Sequence, residues 1–275
     1  MATLSEALEF ASATDPGRVR AHNEDSIGTD PGIGLAVLAD GMGGYNAGEV
    51  ASGIAVAVVS AEIKRVMTGR SLSRIEAATG LTEAERLAVE HIAKANTSIF
   101  EAARSQPQYS GMGTTLVLAL FFDNRMCVAH VGDSRLYRLR GESFEQITRD
   151  HSLLQEQIDS GMITREAAKL SQNKNLVTRA LGIDAEVETE VHVYDTQPGD
   201  TYLLCSDGLS DMVEDEDMHL TLSSLQANLQ LAADQLVQQA NDNGGRDNIS
   251  VILVKVKDDY AAPTGWIARL LSWFK

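Results

Sequence analysis

Five short segments carry carboxylates whose type and setting could do chemistry. They are Asn23-Glu24-Asp25, Asp40-Gly41-Met42-Gly43-Gly44, Gly132-Asp133-Ser134-Arg135, Ser206-Asp207-Gly208 and Arg246-Asp247-Asn248. Four of them put an acid at or just after the end of a strand-like apolar run, where a side chain can leave the core and face solvent. Carboxylates gathered at such ends repel one another unless a cation sits between them. Hard divalent cations, which take oxygen ligands, are the matching partner. The chain therefore reads first as a metal-dependent enzyme.

The elements that must position these acids follow from hydrophobic periodicity. Gly34 to Ala39 is a short apolar run bounded by Gly and Asp-Gly, which reads as a buried strand. Ala47 to Arg65 places Val50, Ile54, Ala57, Val58 and Ala61 on one helical face. Leu81 to Ala103 is a second amphipathic helix, with Thr82 and Glu85 spaced as a capping box at its start. Thr114 to Phe122, Met126 to Val131 and Arg135 to Leu139 are strand-like runs separated by turn signals, and they predict an antiparallel meander. His151 to Lys174 is more polar, helical in pieces, and interrupts the strand pattern like an inserted lobe. Val187 to Tyr194 and Thr201 to Cys205 return to strand, Asn228 to Asn241 is helical, and Asn248 to Val256 closes as a strand. This order predicts an α+β chain of antiparallel sheets covered by helices rather than a doubly wound parallel sheet.

Composition narrows the function. The 275 residues are 44% hydrophobic, enough for one substantial globular domain or two small ones. The formal net charge is −16, which argues against nucleic acid as the main partner, because phosphate-backbone binding needs a basic footprint. Cys127 and Cys205 each lie inside an apolar run and read as buried free thiols rather than as a disulfide. Met1 to Glu6 lacks the basic and apolar regions of a signal peptide. No apolar run reaches the ~18 residues of a membrane span, so the expected location is cytoplasmic.

Together, and in this order, the motifs resemble those of the PPM/PP2C family of metal-dependent serine/threonine phosphatases in its bacterial form. The set is Arg20 to Asp25, Asp40 to Gly44, Gly111-Met112-Gly113-Thr114-Thr115, Gly132 to Arg135, Ser206 to Leu209 and Arg246 to Ser250. Any single motif is weak, since Asp-Gly alone is usually a turn; the ordered set is specific. The resemblance implies a four-layer α-β-β-α sandwich of two antiparallel sheets flanked by helices, with a small flap at about 151–176. The phosphatase domain would span 1–258, followed by a tail at 259–275.

The resemblance also implies a reaction and its residues. A metal-activated water would attack phosphoserine or phosphothreonine in line at a two-metal centre. Asp40 resembles the carboxylate that bridges both ions, and Gly41 offers its carbonyl to the second from a tight turn. Asp207 and Asp247 resemble the remaining ligands of the first ion. Glu24 and Asp25 resemble the acids that hold the second, directly or through its waters. The donor set, all oxygen, favours Mn²⁺ or Mg²⁺ over zinc. Asp133, with Asp207, resembles a pair that holds a weaker third ion in bacterial relatives; its other reading is a turn residue that orders the strand after Gly132. Arg20 resembles the arginine that clamps phosphoryl oxygens, a task for a planar guanidinium.

Where many eukaryotic relatives carry a histidine after Asp-Gly, this chain has Met42, which cannot transfer a proton. His22 and His151 read as structural, and Ser134 and Ser206 as hydrogen-bonding loop residues. In the tail, Trp266, Ile267, Leu270, Trp273 and Phe274 can share one apolar face that packs on the domain, lies on a membrane surface or docks a protein partner. The expected partners are phosphorylated proteins and a cognate Ser/Thr kinase whose action the enzyme opposes. The competing readings are a catalytically dead relative that only binds phosphoprotein, and a related phosphatase acting on a phosphorylated regulator of transcription.

Overall fold

The computed structural model describes residues 3–44, 47–67, 70–164, 167–168 and 176–262. Two antiparallel sheets face each other. The first has the order β1 (Leu8–Asp15), β11 (Ile249–Val256), β10 (Thr201–Cys205), β7 (Arg135–Arg140) and β8 (Ser143–Gln146). The second runs β2 (Asp25–Asp30), β3 (Leu35–Met42), β5 (Leu116–Phe122), β6 (Arg125–Val131) and β9 (Glu190–Asp195), with β4 (Gly113–Thr114) paired to the far end of β3.

Alternation along each strand builds the layers. Ala36, Leu38, Val117 and Ala119 of the second sheet meet Leu136, Tyr202, Leu204, Ile252 and Val254 of the first in a central core. Their neighbours point the other way. Leu35, Val37 and Ala39 pack under α2 (Ala47–Val66) and α3 (Glu83–Ser105). Tyr137, Leu203, Cys205, Val251 and Leu253 pack under α7 (Leu229–Asp242), with α5 (Asp207–Ser210) and α6 (Asp215–Ser224) beside it. The inner strands β3, β5, β6, β10 and β11 are thus buried on both faces, which is why they read as largely continuous apolar runs. The result is the four-layer α-β-β-α sandwich expected from the resemblance. The capping box is present: Glu85 N donates to Thr82 Oγ1 at 3.2 Å, and Thr82 N donates to Glu85 Oε2 at 2.7 Å.

The three runs from 114 to 139 do not form one meander. β5 and β6 pair through Asp123 and Asn124, whose φ values of 52° and 54° suit a two-residue hairpin turn. The chain then leaves that sheet. Gly132, at φ 103°, redirects it, and β7 pairs with β10 in the opposite sheet. This crossing puts Asp133 where the chain passes from one sheet to the other.

α4 (Leu153–Asp159) begins the polar segment after His151. The rest of the expected flap lies partly outside the described residues. Tyr260 is buried and its hydroxyl is 2.6 Å from that of Thr196. The amphipathic stretch Trp266 to Phe274 lies outside the described residues. Among the described residues no helix is long and apolar enough to cross a membrane.

Candidate active site

The acids meet at one end of the sandwich. Asp25 opens β2 directly opposite Asp40 in the antiparallel register, a placement that costs stability for two like charges. From the other sheet, Asp207 opens α5 two residues after β10, and Asp247 precedes β11 by two residues. Ser206 ties the sheets together here: its hydroxyl donates to Asp25 Oδ2 at 2.8 Å and accepts from Ser250 N at 3.0 Å. Asp133 joins from the crossing after β6. Asp247 thus stands before its strand and Asp25 at the start of one, not after a strand end.

Hydrogen bonds hold the backbones of these residues. Asp40 N donates to Thr115 Oγ1 at 3.1 Å, and its carbonyl accepts from Thr115 N at 2.9 Å and Thr114 Oγ1 at 2.8 Å. Asn248 joins three segments: its Oδ1 accepts from Glu24 N at 2.8 Å, and its Nδ2 donates to the carbonyls of Pro16 at 3.0 Å and His22 at 2.9 Å. His22 serves here through its backbone.

Gly41 makes no tight turn, contrary to the sequence expectation. It lies within β3, opposite Thr114. It is glycine because helix α2 arrives on top of it: a Cβ would stand 2.2 Å from the Gly48 carbonyl oxygen and 2.5 Å from that of Glu24. Gly208 is similar, with a Cβ position 2.0 Å from the Asn248 carbonyl oxygen.

The electrostatics are those of a site built for cations. Asp40 and Asp207 keep a solvent-accessible edge, yet both carboxyls titrate well above the usual range. Desolvation is the main cause for each. Asp25, Asp207, Asp133 and Asp247 then add repulsion at Asp40, while Asp133, Asp211, Asp247 and Asp25 add it at Asp207. Burial also pushes Asp25 and Asp133 up to about 6, and raises Glu24. One oxygen of Asp25, Oδ1, is buried with no hydrogen-bond partner. Orphaned buried acceptors are costly. An oxygen-only donor set with an unsatisfied carboxylate fits a hard divalent cation.

Arg20 reaches this cluster, its Nη2 donating to Asp247 Oδ2 at 2.7 Å. Ser134 bonds Thr115 Oγ1 at 2.7 Å, so Ser134 and Ser206 are both linkers. Cys127 and Cys205 are buried and free; burial pushes the Cys205 thiol up to about 12, which suits packing rather than chemistry. The sequence reading missed Asp211, whose charge bears on both Asp207 and Asp133. Its position four residues after Asp207, one helical turn on, was the available signal.

Residues 18–244 match the family model of protein phosphatase 2C. The chain belongs to the protein phosphatase 2C family. It is accordingly an enzyme, a protein phosphatase. The serine/threonine phosphatase stp of Listeria monocytogenes is 40% identical over 245 residues, covering 88% of this chain and 93% of the relative. The serine/threonine protein phosphatase PstP of Mycobacterium tuberculosis is 39% identical over 99% of this chain, which spans 50% of that longer relative. The crystal structure of Mycobacterium tuberculosis PstP superposes with a TM-score of 0.81 at 37% identity, over 91% of this chain and 99% of that one. A solved PstP catalytic domain in complex with two manganese ions gives a TM-score of 0.79 at 37% identity, over 91% and 99% of the two chains.

Proposed function

We infer that this protein is a metal-dependent phosphatase that hydrolyses phosphoserine and phosphothreonine in proteins. The observation that carries the reading is the convergence of carboxylates from separate segments of both sheets, whose mutual repulsion adds to desolvation in raising the pKa of Asp40 and Asp207. The similar stp and PstP proteins, named serine/threonine phosphatases, support the substrate class.

The residue roles are proposals. Asp40 would bridge two ions. Asp207 and Asp247 would complete the first. Glu24, Asp25 and the Gly41 carbonyl would serve the second, and Asp133 with Asp207 a weaker third. Mn²⁺ or Mg²⁺ suits these donors, and the similar PstP domain with two manganese ions supports the count. When bound, the ions supply Lewis-acid stabilisation of phosphoryl oxygens and a water activated for in-line attack.

The protein's own groups do the rest. Ser206 and Asn248 fix the loops that present the acids. The Arg20 guanidinium, half exposed beside Asp247, is placed to pair with phosphoryl oxygens. Met42 lies beside Gly41 at the end of β3 and has no proton to give, so its side chain cannot act as general acid. Arg20→Ala should raise KM for a phosphopeptide about tenfold or more while changing kcat less. Steady-state kinetics check this, and unchanged KM and kcat would remove Arg20 from the site.

The proposed cellular role is to oppose a Ser/Thr kinase in the cytoplasm, a reducing compartment that suits two free thiols. The tail residues Trp266 to Phe274 are proposed to pack on the domain or to dock on a membrane surface or a protein. The substrate assignment is tested with matched phosphoserine, phosphothreonine and phosphotyrosine peptides in Mn²⁺. Hydrolysis of the first two is expected. Release of phosphate from phosphotyrosine alone would contradict it.

A further inference from the structure

His151 stands at the root of the flap segment and grips the turn that carries Asp133. Its backbone N donates to the Gly132 carbonyl at 3.0 Å, and Gly132 N donates back to His151 Nδ1 at 3.1 Å. Both bonds are shielded, since the ring is buried. An N–H pointing at Nδ1 requires a lone pair there. The ring proton must therefore sit on Nε2, which lies 3.3 Å from Glu190 Oε2. The other Glu190 oxygen is 3.2 Å from His192 Nε2.

The surroundings fix the ring further. His130 stacks on it with centroids 4.7 Å apart and 15° between planes, while His130 Nε2 is 2.8 Å from the Arg149 carbonyl. One residue away, the Arg135 guanidinium forks onto Asp150 at 2.7 to 3.1 Å. Thr178 N donates to the His151 carbonyl at 2.8 Å. Desolvation lowers the pKa of His151, in keeping with a neutral ring.

Gly132 packs closely against Thr115. A Cβ on it would lie 2.7 Å from Thr115 Cβ, and Thr115 holds the backbone of Asp40 on both sides. A displacement at Gly132 therefore reaches both Asp133 and Asp40.

We propose that His151, held by Glu190 as the Nδ1-accepting tautomer, is a positioning residue that sets the Asp133 turn against Asp40 for phosphate hydrolysis. The role rests on the phosphatase reading. His130, His151 and Glu190 also bring ligand atoms within 4.8 Å of one another. A metal binds in the plane of an imidazole, however, and two stacked rings share no such plane; His130 Nε2 is moreover committed to a carbonyl.

Two amides separate this role from mere packing. Asn at 151 places Oδ1 where Nδ1 was and keeps the acceptor for Gly132. Gln places its amide near Nε2 and loses it. His151→Asn should keep kcat within about threefold of wild type, whereas His151→Gln should lower kcat about tenfold or more, the cost of one buried bond, with KM little changed. Equal kcat in the two variants, high or low, would overturn the proposal. Should either fail to fold, nitrogen-15 histidine NMR of the wild-type Mg²⁺ enzyme decides: an unprotonated Nδ1 and protonated Nε2 at His151 are expected, and a protonated Nδ1 overturns it. Wild-type protein inactive on phosphopeptides with either ion would instead sink the phosphatase reading, leaving the NMR result to judge the tautomer.

Discussion

Asp207→Asn is expected to lower turnover by at least about two orders of magnitude and, in the same protein, to raise the melting temperature of the metal-stripped form at pH 7. The first effect follows from losing a proposed ligand. The second follows from the direction of the pKa shift. The Asp207 carboxyl titrates well above its ordinary value, through desolvation first and then through Asp133, Asp211, Asp247 and Asp25. A raised folded-state pKa means that the native state binds the proton more tightly than the unfolded chain does. This carboxyl therefore loses stability for the fold as pH rises from the unfolded value of about 4 through the folded one. At neutral pH it opposes folding, and Asn removes that opposition. Relief of even ~1 kcal/mol raises Tm by about 2–4 °C in a domain of this size. The gain should shrink towards pH 4, and Mn²⁺ should raise the Tm of wild type more than that of the variant. A stripped variant that melts below wild type at every pH would show that the acids are not held against their own repulsion.

Gly41→Ala should cost stability by about 1–3 kcal/mol or more and remove activity even in saturating Mn²⁺. The added carbon would meet backbone on both sides, the Gly48 oxygen at 2.2 Å and the Glu24 oxygen at 2.5 Å. Neither can rotate away as a side chain would. Gly41 N already donates to the Glu24 carbonyl at 3.1 Å, so relief means parting β2 from β3 or lifting α2, and either moves Asp25, Asp40 or Glu24. Gly53 is the control. It sits in α2 with nothing within 4 Å of its Cβ position, and Gly53→Ala should leave activity intact and add about 0.5–1 kcal/mol through helix propensity. Thermal melts and phosphopeptide assays check both. A stable, active Gly41→Ala would refute the close-packing argument.

Some of this was legible in the residues and some was not. Asp133 and Asp207 could be placed because each follows an apolar run that ends with its strand, whereas Asp40 follows a run whose strand continues to Met42. Thr82 and Glu85 gave the start of α3 through capping chemistry that acts over one turn. The sheet to which each strand belongs was not legible. Leu35 to Ala39 is apolar on both faces because helices cover one side and the facing first sheet the other, so no alternation marks the inside. The crossing at Gly132 was read as a turn within one meander for the same reason. Gly41 was misread because its constraint comes from Gly48, a packing partner brought by the helix. His151 gave no local signal of its hold on Gly132, nineteen positions earlier. Asp25 Oδ1, buried without a partner, could be seen only once the sheets were assembled.

The most direct test is hydrolysis of a phosphoserine peptide by metal-stripped protein during titration with Mn²⁺ and with Mg²⁺. The account predicts no turnover without metal, saturable activation by at least one ion, and loss of that activation in Asp40→Asn and Asp207→Asn. Full turnover in the stripped protein, or in either variant, would contradict the claim that these carboxylates hold the ions that drive the reaction.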